Sequence, residues 1–267
     1  MIGLEKRRLD AEMARRKIAD SREQAKRFIM AGEVHVNGQR ADKPSMQVLA
    51  EDDIQLKNQG SRFVSRGGLK LEKAMQAFSI DIHGMVAADI GASTGGFTDC
   101  MLRYGARKVY AIDVGYGQLD YRLRVNPAVV VMERTNARYI APDMFAEALD
   151  FMAMDVSFIS VKLILPAVFA CMKQAAQGVV LIKPQFEAGK EYVGKNGVVR
   201  ESKVHEAVLH QSVEHARQSG FSACGLDFSP VKGPEGNIEF LLYLKKGLPE
   251  EKLNIETVVA HAHAELY

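Results

Sequence analysis

"DIGASTGGFTDC" spans residues 89–100 and follows an apolar run, "VAA", with two acids, three glycines and three hydroxyl residues. A run that ends this way reads as a β-strand handing over, through "GASTGG" at 91–96, to a helix beginning near Phe97. Glycine lets backbone approach a neighbour closely, and the first turn of a helix leaves N–H groups without intrahelical partners. In an open parallel sheet, ligands bind at the carboxyl ends of the strands, near the point where strand order reverses. The stretch therefore predicts a turn from which side chains are missing because a ligand is close, although a plain tight turn can share the composition.

Outward from it, apolar segments alternate with helical ones: "MVAADI" (85–90), "KVYAIDV" (108–114), "AVVVMER" (128–134), "FMAMDVSF" (151–158), "GVVLIKP" (178–184), "CGLDFS" (224–229) and "IEFLLYLK" (238–245). Parallel strands with crossover helices are the natural reading. "PVKGPEGN" (230–237) leaves no room for a crossover helix, so the last strand should run antiparallel to its partner. The expected fold class is α/β: a seven-stranded, Rossmann-like class I methyltransferase layout, behind a small N-terminal α+β domain.

The ligand that fits the turn is not a dinucleotide. "GASTGG" lacks the second glycine of GxGxxG, having Ser93 there, and no Walker A lysine follows. Asp113 ends the second strand, where an acid accepts both hydroxyls of a ribose. Asn136, after the third, is placed to read an adenine edge. Ribose and adenine without phosphates, beside an acidic Asp89, suit S-adenosyl-L-methionine with its positive amino and sulfonium groups. The candidate cofactor residues are Asp89, Gly91, Ala92, Ser93, Thr94, Gly95, Gly96, Phe97, Asp113, Asn136, Ala137 and Asp155.

The fourth strand ends in "DVSF" (155–158) rather than the Asn/Asp-Pro-Pro-aromatic signature of amino-group methylation, and Cys171, read as lying mid-helix, does not suit pyrimidine C5 chemistry. The strand ends are charged instead. Asp155 closes the fourth strand and Lys183 the fifth, neighbours about 4.8 Å apart in a sheet, and Glu239 starts the antiparallel strand at the same rim. Lys70 precedes the first strand in the helix "LKLEKAMQAF" (69–78), whose stripe Leu71, Ala74, Met75 and Phe78 leaves Lys70 and Lys73 on the exposed side. A lysine beside another lysine in a partly dry site gives up its proton more readily, which suits activation of an alcohol. "KPQFEAGKEYVGKNGVV" (183–199) reads as a loop over this rim, with too few apolar residues for core.

The 267 residues carry a net charge of +2 and are 47% hydrophobic, enough to bury a large core. Residues 1–43 hold eleven Lys and Arg against seven Asp and Glu, so the basicity is local. Residues 15–32 read as a basic helix-loop-helix, with Ser21 and Gln24 spaced as a capping box, Ala25, Phe28 and Ile29 on one stripe and Gly32 as the stop. "EVHVNGQR" is a hairpin turning at Asn-Gly. The expected division is a small basic domain at 1–58, to which the family resemblance adds RNA binding, a linker at 59–68, the methyltransferase domain at 69–247 and a tail at 248–267. Cys100, Cys171 and Cys224 show no CxxC pattern, which suits a reducing cytoplasm. The longest apolar stretch, "LILPAVFACM" (163–172), is half a membrane span, so no membrane partner is expected. His261 and His263, two apart with no cysteine, read as part of a short helix, and no metal is expected.

The motifs "SREQAKRFIMAGEVHVNGQ", "VSRGGLKLEKA", "DIGASTGGFTDC", "DVGYGQLDYRLR", "ERTNARY", "DVSFIS", "KPQFEAG" and "KGPEGNIEF" resemble the TlyA family in order, from about residue 8 to 245. The opening "MIGLEKRR" and the tail have no placed counterpart. The resemblance implies an FtsJ-type methyltransferase with an N-terminal domain like that of ribosomal protein S-four. It implies 2′-O-methylation of cytidine in ribosomal RNA, of the large subunit and in some members the small subunit too, with S-adenosyl-L-methionine as methyl donor. It carries a Lys-Asp-Lys-Glu catalytic set onto Lys70, Asp155, Lys183 and Glu239, with Lys183 read as the base. It gives Arg22, Lys26, Arg27 and Arg66 an RNA-binding role, and ribosomal RNA or ribosomal subunits as partners; oligomeric state stays open. The rival readings are a pore-forming haemolysin, after the name some members carry, and a non-catalytic RNA-binding assembly factor.

Overall fold

In the computed structural model, residues 6–30, 32–56 and 62–266 are described, so linker positions 59–61 lie outside them. The chain divides into two units, Met1–Ser61 and Arg62–Tyr267. In the first, β1 (Arg7–Arg8) leads into α1 (Leu9–Arg15) and α2 (Arg22–Met30), followed by β2 (Val34–Val36), β3 (Gln39–Arg40), β4 (Gln47–Val48) and β5 (Ile54–Leu56). β3, β2 and β5 form one antiparallel sheet in that order, and β1 pairs with β4. Leu9, Met13, Ala25, Ile29, Val34, Val36 and Ile54 make its core.

The helix-loop-helix starts at residue 9, not 15. Its first helix is hidden in the sequence because Asp10 and Glu12 look like solvated positions yet are 0% and 1% exposed. α2 begins as its capping residues require: Ser21 Oγ accepts from the Gln24 N–H at 3.2 Å, while the Gln24 side chain reaches back to the Asp20 N–H. Asn37 and Gly38, both at positive φ, form the tight turn between β2 and β3.

The second unit opens with α3 (Gly67–Ala77), which takes in the last two residues expected in the linker. There follow β6 (Val86–Ile90), α4 (Gly96–Arg103), β7 (Lys108–Ile112), α5 (Tyr121–Arg124), β8 (Val129–Met132), β9 (Leu149–Met154), α6 (Leu165–Cys171), β10 (Met172–Ile182), α7 (Pro184–Glu187), α8 (Ser202–Gln218), β11 (Phe221–Phe228), β12 (Phe240–Lys246) and α9 (Ile255–Leu266). The sheet order is β11-β12-β10-β9-β6-β7-β8. The neighbouring pairs are parallel except those of β12, which runs antiparallel to both β10 and β11. All seven expected strands and the terminal hairpin are present. Cys171 closes α6 rather than lying inside it.

Alternation along the strands builds two cores. Ala87, Val109, Phe151 and Val179 face Leu71, Met75, Phe97 and Met101 of α3 and α4, while Val86, Ala88, Met152 and Val180 face Leu165, Val168, Val208 and Leu209 of α6 and α8. Within the segment expected as a tail, α9 adds Ile255, Val259 and Ala262 to this second core. Among the described residues no helix is long and apolar enough to cross a membrane. Successive crossovers run outward from β6 through β7 to β8 and then return to β9 on its other side, so the strand order reverses between β6 and β9. The carboxyl ends of those two strands are where Asp89, Gly91 and Asp155 stand.

Candidate active site

The glycines after β6 are required by close protein neighbours. Gly91 has φ +87, and a Cβ on it would run into the Asp155 carbonyl; a Cβ on Gly95, at φ +94, would strike Leu123. One on Gly96 would meet the Ser65 hydroxyl and the Gly68 amide nitrogen. The protein's own neighbours already forbid side chains at these three positions. Their effect is to draw the β6 turn against the end of β9, where the Asp155 N–H donates to the Ile90 carbonyl at 2.9 Å.

Two acids flank this turn. Asp89 is fully buried; its Oδ2 accepts from the Thr98 amide (2.8 Å) and hydroxyl (2.6 Å), while Oδ1 has no hydrogen-bond partner. Burial pushes its carboxyl up to about 7, against the pull of Thr98. Asp113, just past β7, accepts from the Ser93 N–H at 2.8 Å and the Gly115 N–H at 2.6 Å, which fixes its carboxylate at the floor of a cleft shared with Ala92, Gly115, Gln118 and Glu133. A cationic nucleoside fits this donor set: a buried carboxylate oxygen without a partner, and a second carboxylate with lone pairs to spare for ribose hydroxyls. Asn136 does not join them. It is exposed and caps the turn Ala137–Tyr139 by accepting from the Arg138 N–H at 3.1 Å.

The four residues expected to react converge from α3, β9, β10 and β12. Lys183 Nζ lies 2.5 Å from Asp155 Oδ1, Lys70 Nζ lies 2.5 Å from Glu239 Oε2, and Lys70 also stands 3.9 Å from Asp155 Oδ2. The result is an alternating row, Lys183, Asp155, Lys70, Glu239. Lys70 corrects the helical-wheel expectation: it is 8% exposed, not on a solvated face. Glu239 is 1% exposed, and burial raises its carboxyl while Lys70 pulls it down.

Residues the sequence reading passed over complete the rim. Ser157 Oγ accepts from Lys183 Nζ at 2.9 Å. Phe158, at φ +65, is 90% exposed and packs one edge near Phe186, ring centroids 5.0 Å apart. Glu187 ties the two loops together, accepting from the Ser160 hydroxyl at 2.7 Å and the Val161 N–H at 2.9 Å. The signal for Phe158 was its apolar ring in a loop of small and polar residues. The loop 183–199 is better anchored than expected: it contains α7, and Val198 and Val199 are buried. Among the described residues no group of three or more His, Cys, Asp or Glu side chains could hold a metal ion. Cys171 is buried, with its thiol pushed up to about 11 by desolvation, which is no nucleophile.

Of the residues assigned to RNA, Arg22 is half exposed and reaches Asp10 at 3.4 Å, and Lys26 pairs with Glu23 at 2.7 Å. Arg27 is exposed on α2, and Arg66 is exposed at the head of α3.

Comparison with known proteins agrees with this architecture. Residues 63–246 match the FtsJ-like methyltransferase family and residues 7–54 the S4 domain. The Bacillus subtilis protein YqxC, described as an rRNA methyltransferase, is 47% identical across 98% of this chain and 95% of its own length. The 16S/23S rRNA (cytidine-2′-O)-methyltransferase TlyA of Mycobacterium tuberculosis is 43% identical across 89% of each chain. A solved structure from Streptococcus thermophilus, described as a hemolysin, superposes with a TM-score of 0.79 at 48% identity, covering 98% of both chains.

Proposed function

The chain belongs to the FtsJ-like methyltransferases of the TlyA family, and from that premise we propose that it methylates the ribose 2′-hydroxyl of a cytidine in ribosomal RNA. It is an S-adenosyl-L-methionine-dependent methyltransferase with an S4 domain before the catalytic one. The observation that carries the proposal is the Lys183–Asp155 contact, set beside Lys70 and Glu239.

Bound S-adenosyl-L-methionine supplies an electrophilic methyl group on a sulfonium. Asp89 would hold its ammonium and Asp113 its ribose hydroxyls. Lys183 takes the proton from the 2′-hydroxyl, with Asp155 and Ser157 in contact with its nitrogen. Asp155 stabilises the ammonium that forms. Lys70, clamped by buried Glu239, keeps a positive charge beside Asp155 and orients the incoming ribose. Phe158 offers an open ring face on which the target base stacks. The N-terminal unit, through Arg22, Lys26 and Arg27, holds RNA phosphates, contacts that position without specifying sequence. Large-subunit RNA is the expected substrate, and the name of the M. tuberculosis relative makes small-subunit RNA the second to test.

Replacing Lys183 by Ala tests the assignment. Methyl transfer should fall at least about a hundredfold with S-adenosyl-L-methionine affinity nearly intact; retained turnover would refute it.

A further inference from the structure

Two carboxylates in the N-terminal unit stand where an RNA-binding surface should have none. Asp10 and Glu12 occupy the first turn of α1 and are 0% and 1% exposed. Asp10 is contacted by guanidinium groups from β1 and α2, and Glu12 by two from the end of its own helix. Arg8 of β1 forks onto Asp10, Nε to Oδ1 at 3.0 Å and Nη2 to Oδ2 at 2.9 Å, and Arg22 of α2 reaches the same Oδ2 at 3.4 Å. Arg15 forks onto Glu12 at 2.8 and 2.6 Å, and Arg16 donates to it at 2.7 Å.

The arginines divide into two kinds. Arg16 faces inward, donating to the carbonyls of Leu49, Ala50 and Asp52 and holding α1 to the chain beyond β4. Arg8, Arg15 and Arg22 keep 44%, 53% and 54% of their side chains open to solvent. A carboxylate needed only for the fold would be satisfied by inward partners. Here most of the partners are outward, and each buried acid fixes the plane and direction of a guanidinium on a side chain about half open to solvent.

We propose that Asp10 and Glu12 are positioning residues for RNA, pre-setting Arg8, Arg22 and Arg15 as a fixed array for phosphate groups. The proposal rests on the reading that this unit binds RNA. A mobile arginine gives up its rotamer freedom when a phosphate captures it, whereas one already forked onto a buried carboxylate gave it up during folding. The planar fork then presents its remaining N–H groups in the geometry a phosphate accepts. Glu12 keeps its charge throughout the accessible range, because Arg15 and then Arg16 hold its carboxyl down to about 2.

The proposal inverts the sign that simple charge counting gives. Removing a negative charge from a basic surface should tighten RNA binding; here Asp10→Asn and Glu12→Gln should loosen it. The test measures binding of the full chain to in vitro transcribed 23S ribosomal RNA at fixed ionic strength, together with steady-state methyl transfer. Each variant should raise the dissociation constant about threefold to tenfold, with a matching rise in KM for RNA and no change in kcat or cofactor affinity. In an Arg8→Ala/Arg22→Ala background, Asp10→Asn should have no further effect, whereas a folding defect would persist there. Equal or tighter binding by the single variants, with the parent chain binding normally, would overturn the proposal. No RNA binding by the parent chain would overturn the RNA-binding reading itself, and the proposal with it.

Discussion

Lys183 and Asp155 stand one residue beyond the ends of neighbouring parallel strands, β10 and β9, and their side chains meet at 2.5 Å. An acid this close can serve a lysine in two ways, as a counter-charge or as the group that aims a base. Lys183→Arg separates them. Arginine keeps the charge and the contact but does not give up its proton, so a base role predicts a loss as deep as that of Lys183→Ala in single-turnover transfer. A variant within about tenfold of the parent rate would make Lys183 an electrostatic group instead. Asp155→Asn should fall between the parent and Lys183→Ala.

Lys70 and Glu239 form the buried half of the row. Removing one partner strands a charge in the interior, a loss of about 3–5 kcal/mol, while replacing both with apolar side chains is far milder. Chemical denaturation should therefore rank Lys70→Met as less stable than the double variant Lys70→Met/Glu239→Leu. Both should be inactive in methyl transfer. If the double variant were the less stable, the pair would be a net stabiliser of the fold rather than a device held for function.

If Asp89 holds the cofactor's ammonium, as proposed, cofactor binding should depend on pH. Its carboxyl titrates near 3.8 in an unfolded chain and at about 7 in the folded one, because it is buried. The folded chain thus holds the proton more tightly, so the contribution of Asp89 to stability is complete below pH 3.8 and is lost as pH rises through about 7. A cationic cofactor beside it favours the ionised form. Affinity for S-adenosyl-L-methionine should increase as pH rises through about 7, with proton uptake by the buffer visible when calorimetry is repeated in buffers of different ionisation enthalpy. A flat affinity profile would separate Asp89 from the cofactor's charge.

The terminal helix should be the acid-sensitive part of the catalytic unit. His205 of α8 is fully buried, its Nδ1 lies 2.9 Å from His263 Nε2 of α9, and its Nε2 lies 3.2 Å from the Val199 carbonyl. Burial first, and His263 second, lower His205 from 6.5 to about 4. The unfolded chain takes up the proton more readily, so this contribution is complete above pH 6.5 and is lost as pH falls through about 4. Protection of α9 amides, expressed relative to the intrinsic exchange rate at each pH, should fall over that window, and His205→Gln should flatten the dependence.

The fold and the convergence of the charged strand-end residues were legible for a shared reason. β6, β9 and the second half of β10 are near-continuous apolar runs buried on both faces, so the first charged residue after β9 or β10, Asp155 or Lys183, marks the strand's end and the rim on which it stands. Lys70 was misplaced because helical periodicity sees one helix at a time, and the acid that buries it, Glu239, arrives from the last strand. The same blindness concealed α1, whose acids are buried by arginines from β1, α1 and α2. At the glycine turn the composition was read correctly as close approach, but a sequence does not say whether the approaching group is a ligand or the Asp155 carbonyl.

The central claim is transfer of a methyl group to a ribose hydroxyl of ribosomal RNA. Its most direct test incubates the chain with tritiated S-adenosyl-L-methionine and ribosomal subunits from cells lacking the homologous enzyme, then maps alkali-resistant bonds in the labelled RNA. A single labelled cytidine whose 3′ bond resists alkali is the predicted result. Label on a base with every bond alkali-labile, or no label on either subunit while cofactor binding is intact, would contradict the account.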